Sequence, residues 1–184
     1  IKNNLFSGFI IPIGGTDTTF SSPDDDTAIL KMTDSTGTII SNNTFQNSTI
    51  PSTFNNTTPS PWQPSLIGVR YSGVSFYNNQ FKNNTSPAVI GINQWEGGVG
   101  LSNRRADEIR FVSNLFSANT IKGPLVHLFA ASDMRFVNNT VVNNVMNSPT
   151  NNFAGFFIYG VANSTATNID GRVEIHNNLF HNNG

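Results

Sequence analysis

Hydrophobic and polar positions alternate in short bursts along this chain, and one burst recurs six times. It reads Ile1-Lys2-Asn3-Asn4-Leu5-Phe6, then Ile40-Ser41-Asn42-Asn43-Thr44-Phe45, then Phe76-Tyr77-Asn78-Asn79-Gln80-Phe81. It returns as Phe111-Val112-Ser113-Asn114-Leu115-Phe116, Phe136-Val137-Asn138-Asn139-Thr140-Val141 and Ile175-His176-Asn177-Asn178-Leu179-Phe180. A phrase that recurs along a chain predicts a repeat architecture, in which each unit buries its apolar face against the next. The repeat makes most Asn, Phe and Ile residues scaffold and leaves few residues for chemistry.

The cleanest unit runs from Pro124 to Ser148. An apolar run, Leu125-Val126-His127-Leu128-Phe129, is followed by a turn at Ala131-Ser132-Asp133. An alternating strand, Met134-Arg135-Phe136-Val137, leads to an Asn pair and Val141-Val142, and Asn143-Asn144 closes the unit. Three short strands and three turns in about 25 residues match one turn of a parallel β-helix. Period-two alternation points Ile109 and Phe111 inward and Arg110 and Val112 outward. Met134 with Phe136, Val74 with Phe76, and Val173 with Ile175 follow the same rule. Beyond the Asn pair, Phe45, Phe81, Phe116, Val141 and Phe180 form a second inward column.

The second Asn of each pair recurs in all six copies: Asn4, Asn43, Asn79, Asn114, Asn139 and Asn178. Asn tolerates the left-handed backbone of a sharp bend. Its amide also hydrogen-bonds to identical neighbours above and below, which predicts a ladder. The competing reading is an Asn-lined ligand site.

The phrase hydrophobic-x-hydrophobic-x-Asn-Asn-x-Phe-x-Asn-Asn resembles the right-handed parallel β-helix repeat of the pectate-lyase-like superfamily and covers nearly the whole chain. The resemblance implies an all-β, right-handed parallel β-helix of about five to six rungs with loop insertions. It implies a single domain over residues 1–184. The superfamily holds lyases, hydrolases, tailspikes, autotransporter passengers and surface proteins, so fold alone does not select a function.

Composition narrows the field. Charged residues make up 11% of the chain and the formal net charge is −1. There is no basic stripe for nucleic acid and no long apolar run for a membrane span. Cysteine is absent, which excludes disulfides and thiolate metal sites. Asn, Ser and Thr supply the polar surface, a usage that suits an extracellular protein, and the 15 Phe argue for a packed core over disorder. The chain opens and stops inside the repeat phrase. This predicts a segment of a longer chain, or a subunit that associates end to end, because bare terminal rungs are sheet edges.

Four insertions interrupt the template: Ile10 to Thr27, Gln46 to Pro64, Asn93 to Asp107 and Ala162 to Gly171. Variable loops on a rigid core carry function. Superfamily lyases use Asp-bound Ca²⁺ and a basic residue, and its hydrolases use clustered carboxylates. The hydrolase phrases Asn-Thr-Asp and Gly-Asp-Asp are missing here. Asp24, Asp25 and Asp26 have the oxygen chemistry of a calcium loop, or of a simply solvated acidic stretch. Arg104, Arg105, Asp107, Glu108 and Arg110 crowd one loop-to-strand junction. Together with Arg135 and Glu174 they predict cross-rung ion pairs, or a site for a substrate carboxylate. Trp62 and Trp95 stack on sugar rings or cover the flank of the solenoid. His127 stands alone in an apolar run, and His176 with His181 is weak evidence for metal. No catalytic residue, metal site or cofactor site is assigned.

Asn-x-Ser/Thr tripeptides begin at Asn42, Asn47, Asn55, Asn56, Asn83, Asn84, Asn138 and Asn163, candidate N-glycan acceptors in a secreted protein. The resulting expectation is a non-enzymatic extracellular structural or adhesive protein, a filament or surface component with glycans. The alternatives are a polysaccharide lyase or glycoside hydrolase, and a carbohydrate-binding adhesin.

Overall fold

The computed structural model describes residues 1–10, 28–33, 35, 37–50, 64–70, 72–93, 109–129, 133–146, 155–159 and 172–184. Every regular element among them is a β-strand. We use "layer" for the strands that one sequence repeat contributes. The first layer holds β1 (Leu5–Ser7) and β2 (Ala28–Thr33); the second holds β3 (Thr38–Ser41), β4 (Thr44–Gln46) and β5 (Ser65–Arg70). The third holds β6 (Val74–Tyr77), β7 (Gln80–Lys82), β8 (Thr85–Ser86) and β9 (Ala88–Asn93). The fourth holds β10 (Ile109–Val112), β11 (Leu115–Ser117), β12 (Thr120–Ile121) and β13 (Pro124–Phe129). The fifth holds β14 (Asp133–Val137), β15 (Thr140–Val142), β16 (Val145–Met146) and β17 (Gly155–Tyr159), and the sixth β18 (Arg172–His176) and β19 (Leu179–His181).

Strands in corresponding places of successive layers pair in parallel. They form a six-stranded sheet β1-β4-β7-β11-β15-β19, five-stranded sheets β18-β14-β10-β6-β3 and β17-β13-β9-β5-β2, and a three-stranded sheet β16-β12-β8. The fold is all-β with regularly stacked parallel sheets, an arrangement compatible with a parallel β-helix or solenoid. The third, fourth and fifth layers contain a fourth strand where three are expected. β8, β12 and β16 follow the second turn, so Asn143-Asn144 does not close its unit but bends the chain into β16. Two residues per strand are too few to show alternation in the sequence.

Register places like on like. Phe111 pairs with Phe76 and Phe136, and Phe45 pairs with Phe6 and Phe81. Ile40, Phe76, Phe111 and Phe136 are fully buried in one inward column, and Phe45, Phe81, Phe116 and Val141 in the next. Layer spacing of about 4.8 Å brings neighbouring rings into face-to-face contact. Phe6 and Phe45 stack with centroids 4.5 Å apart and 2° between planes, Phe45 and Phe81 at 5.1 Å, and Phe81 and Phe116 at 4.9 Å.

Val141 interrupts that stack, and Phe136 in the adjoining column compensates. Its ring tilts 49° from Phe111 and lies 5.9 Å from Phe116 and 6.3 Å from Phe180, the two rings that flank Val141 in its own column. One large side chain thus fills volume left by a smaller one, as close packing requires. In the sixth layer Phe180 and Ile175 keep the columns but are about half exposed, at 48% and 45%.

Candidate functional site

The polar residues most often repeated in this chain sit at two corners of each layer. At the first corner the backbone turns through a residue of positive φ: Asn3, Asn42, Asn78, Ser113, Asn138 and Asn177, with φ between 54° and 60°. The next residue is the candidate ladder Asn. The left-handed conformation therefore belongs to the first member of each pair, not to the second. The division has a physical cause. The first residue reverses the chain and stays in solvent, so any small residue that tolerates positive φ serves, as Ser113 does. The second turns inside, where its amide must find partners.

Those partners are other ladder amides. Asn4 donates from its backbone N–H at 2.9 Å and from Nδ2 at 3.1 Å to Oδ1 of Asn43. Asn43 does the same to Asn79 at 3.0 and 3.1 Å, and Asn79 to Asn114 at 2.9 and 3.0 Å. Asn114 continues to Asn139 at 2.9 and 3.0 Å, and Asn139 to Asn178 at 2.8 and 3.1 Å. The second Nδ2 hydrogen points the other way: Asn79 donates to Ile40 O, Asn114 to Phe76 O and Asn139 to Phe111 O. Asn43, Asn79, Asn114 and Asn139 are each 1% exposed, so this satisfaction offsets the cost of burying four amides.

A second ladder, five residues further on, escaped the sequence reading. Ser48 donates its backbone N–H to Asn84 Oδ1 at 3.1 Å. Asn84 donates to Asn119, Asn119 to Asn144 and Asn144 to Asn183, each through N–H and Nδ2 at 2.9 to 3.1 Å. Its preceding corner residues, Asn47, Asn83, Ala118, Asn143 and Asn182, again have positive φ. The signal was the trailing Asn-Asn of the repeat phrase, obscured where Ser48 and Ala118 replace Asn. One sequon Asn stands apart in this geometry. Asn84 is 1% exposed and donates both Nδ2 hydrogens, to Phe45 O at 2.9 Å and to Asn119 Oδ1 at 3.0 Å. Asn42, Asn47, Asn83 and Asn138 are exposed at corners. Asn55, Asn56 and Asn163 lie outside the described residues.

Outward positions carry what charge the described residues display. Ser75, Arg110, Arg135 and Glu174 form one outward column in register. Arg135 Nε meets Glu174 Oε2 at 3.1 Å, the cross-layer ion pair expected from the sequence. The two side chains are 49% and 32% exposed, so water screens their attraction. Arg104, Arg105, Asp107 and Glu108, the rest of that junction, lie outside the described residues, as do Trp62, Trp95, Asp24, Asp25 and Asp26. Among the described residues no group of three or more His, Asp or Glu side chains gathers as a metal would require. Nor is any helix among them long and apolar enough to cross a membrane.

Among the described residues, His127 is the buried titratable group. It pairs in register with Gly91 on one side and Phe157 on the other, in the column headed by Lys31 and Gly68. Lys31 is exposed, whereas His127 is 1% exposed. Burial lowers its pKa from the ordinary 6.5 to about 4, so the imidazole is neutral at physiological pH.

No family model, curated protein or solved structure matches this chain.

Proposed function

We propose that the chain is a right-handed parallel β-helix of the pectate-lyase-like kind, serving outside the cell as a non-enzymatic structural or adhesive element. The observation that supports this most is the pair of Asn ladders. Each ladder ties layer to layer through side chain and backbone together, beside stacked phenylalanines, and so stiffens the molecule along the stacking direction. Rigidity is what a rod or spacer needs. The outward faces carry Thr, Ser, Gln and Asn among few charges, a coat suited to contact with water or glycans. End-to-end association, as a filament, belongs to the same reading: the amide-to-amide bonds of a ladder run in one direction only, so stacking would be head to tail.

The test is to purify the protein from its source and image it by electron microscopy, with membrane-impermeant biotinylation of intact cells. Rods of uniform width from a surface-accessible pool support the reading. A compact intracellular monomer overturns it.

One observation favours a second reading. Arg110 and Arg135 are register neighbours on an outward column, a spacing at which two guanidinium groups reach the carboxylates of an acidic polysaccharide. That reading makes the chain a lyase, hydrolase or adhesin. Incubation with acidic polysaccharides tests it, with release of unsaturated or reducing ends marking an enzyme and retention without cleavage marking an adhesin.

A further inference from the structure

We infer that Asn42, Asn47, Asn83 and Asn138 carry N-linked glycans, and that the ladders decide which sequons of this Asn-rich chain are used. The inference rests on the extracellular reading above, since the modification requires passage through a secretory compartment.

The chemistry fixes what an acceptor must offer. Nδ2 attacks C1 of a polyprenyl-pyrophosphate-linked oligosaccharide. The C1–O bond to pyrophosphate breaks, the amide loses one proton, and one N–H remains on Nδ2. An Asn that needs both Nδ2 hydrogens for folding cannot accept and then fold, and one turned inside has no room for a sugar.

The corners sort the sequons on this criterion. Asn42, Asn47, Asn83 and Asn138 each begin an Asn-x-Ser/Thr tripeptide, have φ of 54° to 57°, and are exposed. Each is followed by a buried residue that holds the ladder position: Asn43, Ser48, Asn84 and Asn139. A sugar on the first residue of the corner therefore projects outward while the next amide stays in its column. The sharpest case is Asn83-Asn84-Thr85-Ser86, two overlapping sequons. Asn84 donates to Phe45 O and Asn119 Oδ1, so of the two only Asn83 is compatible with the fold. Asn3, Asn78, Asn143, Asn177 and Asn182 occupy the same exposed corners with the same backbone but lack the hydroxyl residue two positions on. They are internal controls.

The experiment maps glycan occupancy on protein purified from its source. Enzymatic release in heavy-oxygen water converts each occupied Asn to a labelled Asp, read by peptide mass spectrometry. Biotinylation of intact cells reports the compartment separately. Label at Asn42, Asn47, Asn83 and Asn138, with none at Asn84 or the five control corners, is expected. Surface-accessible protein without label overturns the glycan inference and leaves the structural reading standing. Inaccessible protein overturns the extracellular reading, and the inference with it. Thr85→Ala supplies a second arm, because it deletes the Asn83 sequon and keeps Asn84-x-Ser86. The folded variant is expected to lose one glycan; folded protein with a glycan transferred to Asn84 would overturn the ladder rule.

Discussion

Oδ1 of Asn114 accepts two hydrogen bonds from Asn79, from the backbone N–H at 2.9 Å and from Nδ2 at 3.0 Å. Nδ2 of Asn114 in turn donates to Phe76 O and Asn139 Oδ1. Asn114→Ala strands the Asn79 N–H, one Asn79 amide hydrogen and Phe76 O in a buried corner, each costing about 1–3 kcal/mol. A total loss of roughly 3 kcal/mol or more is expected in urea unfolding. Asn114→Asp keeps the acceptor but removes both donated bonds and buries a charge against carbonyl oxygens, so it is expected to be at least as damaging. An Asp variant as stable as wild type would show that the acceptor alone matters.

The apolar columns and the first ladder were legible because their signals are long-range copies. Phe76, Phe111 and Phe136 alternate with outward residues over four or five positions, enough to set direction, and six Asn recur at one offset from them. The conformation of the corner was less legible, because most copies have Asn at both members of the pair. Ser113-Asn114 and Ala118-Asn119 separate the two roles: the amide is required only at the second member, which makes the first the turning residue. The three-stranded sheet was hidden by its two-residue strands. At Asn84 a sequon and a ladder position share the same tripeptide, so the sequence alone did not reveal its ladder role.

Ala118 holds φ of 53° at a corner where neighbouring layers use Asn83 and Asn143. A left-handed backbone costs an L-residue with a plain Cβ roughly 1–2 kcal/mol, and less for Asn or Gly. Ala118→Asn is therefore expected to raise stability by about 0.5–1 kcal/mol, seen as a higher denaturation midpoint at unchanged slope. A lower midpoint would mean that the methyl group makes contacts worth more than the relieved backbone.

Phe81 lies between Phe45 and Phe116 in the unbroken part of its stack, and it is fully buried. Phe81→Ala removes two ring contacts and leaves a cavity, for an expected loss of about 3–5 kcal/mol. Phe180, in the same column at 48% exposure, is already half hydrated, and Phe180→Ala is expected to cost less than half as much. Equal losses at the two positions would indicate that something covers Phe180 in the intact protein.

Arg135 and Glu174 test the ion-pair reading of the charged column. With the pair 3.1 Å apart and both side chains partly in water, Glu174→Gln is expected to cost less than about 1 kcal/mol, and less still at high salt. Thermal unfolding at two ionic strengths measures this. If Glu174→Gln left stability unchanged but altered binding of an acidic polysaccharide, the arginines would belong to a ligand site.

His127 links burial to pH. Its pKa is about 4 in the folded chain against an ordinary 6.5, with desolvation as the cause. Between those values the unfolded chain binds a proton that the folded chain refuses, so stability rises with pH in that window. The contribution is complete above about pH 6.5 and is lost as pH falls toward 4. From pH 7 to pH 5 the expected decrease is roughly 2 kcal/mol, at 1.36 kcal/mol per unit of differential protonation. His127→Leu is expected to flatten the dependence over pH 5 to 7, even though its absolute stability changes with packing. Urea unfolding at pH 5, 6 and 7 on both proteins decides the matter: parallel slopes would assign the pH dependence to groups other than His127.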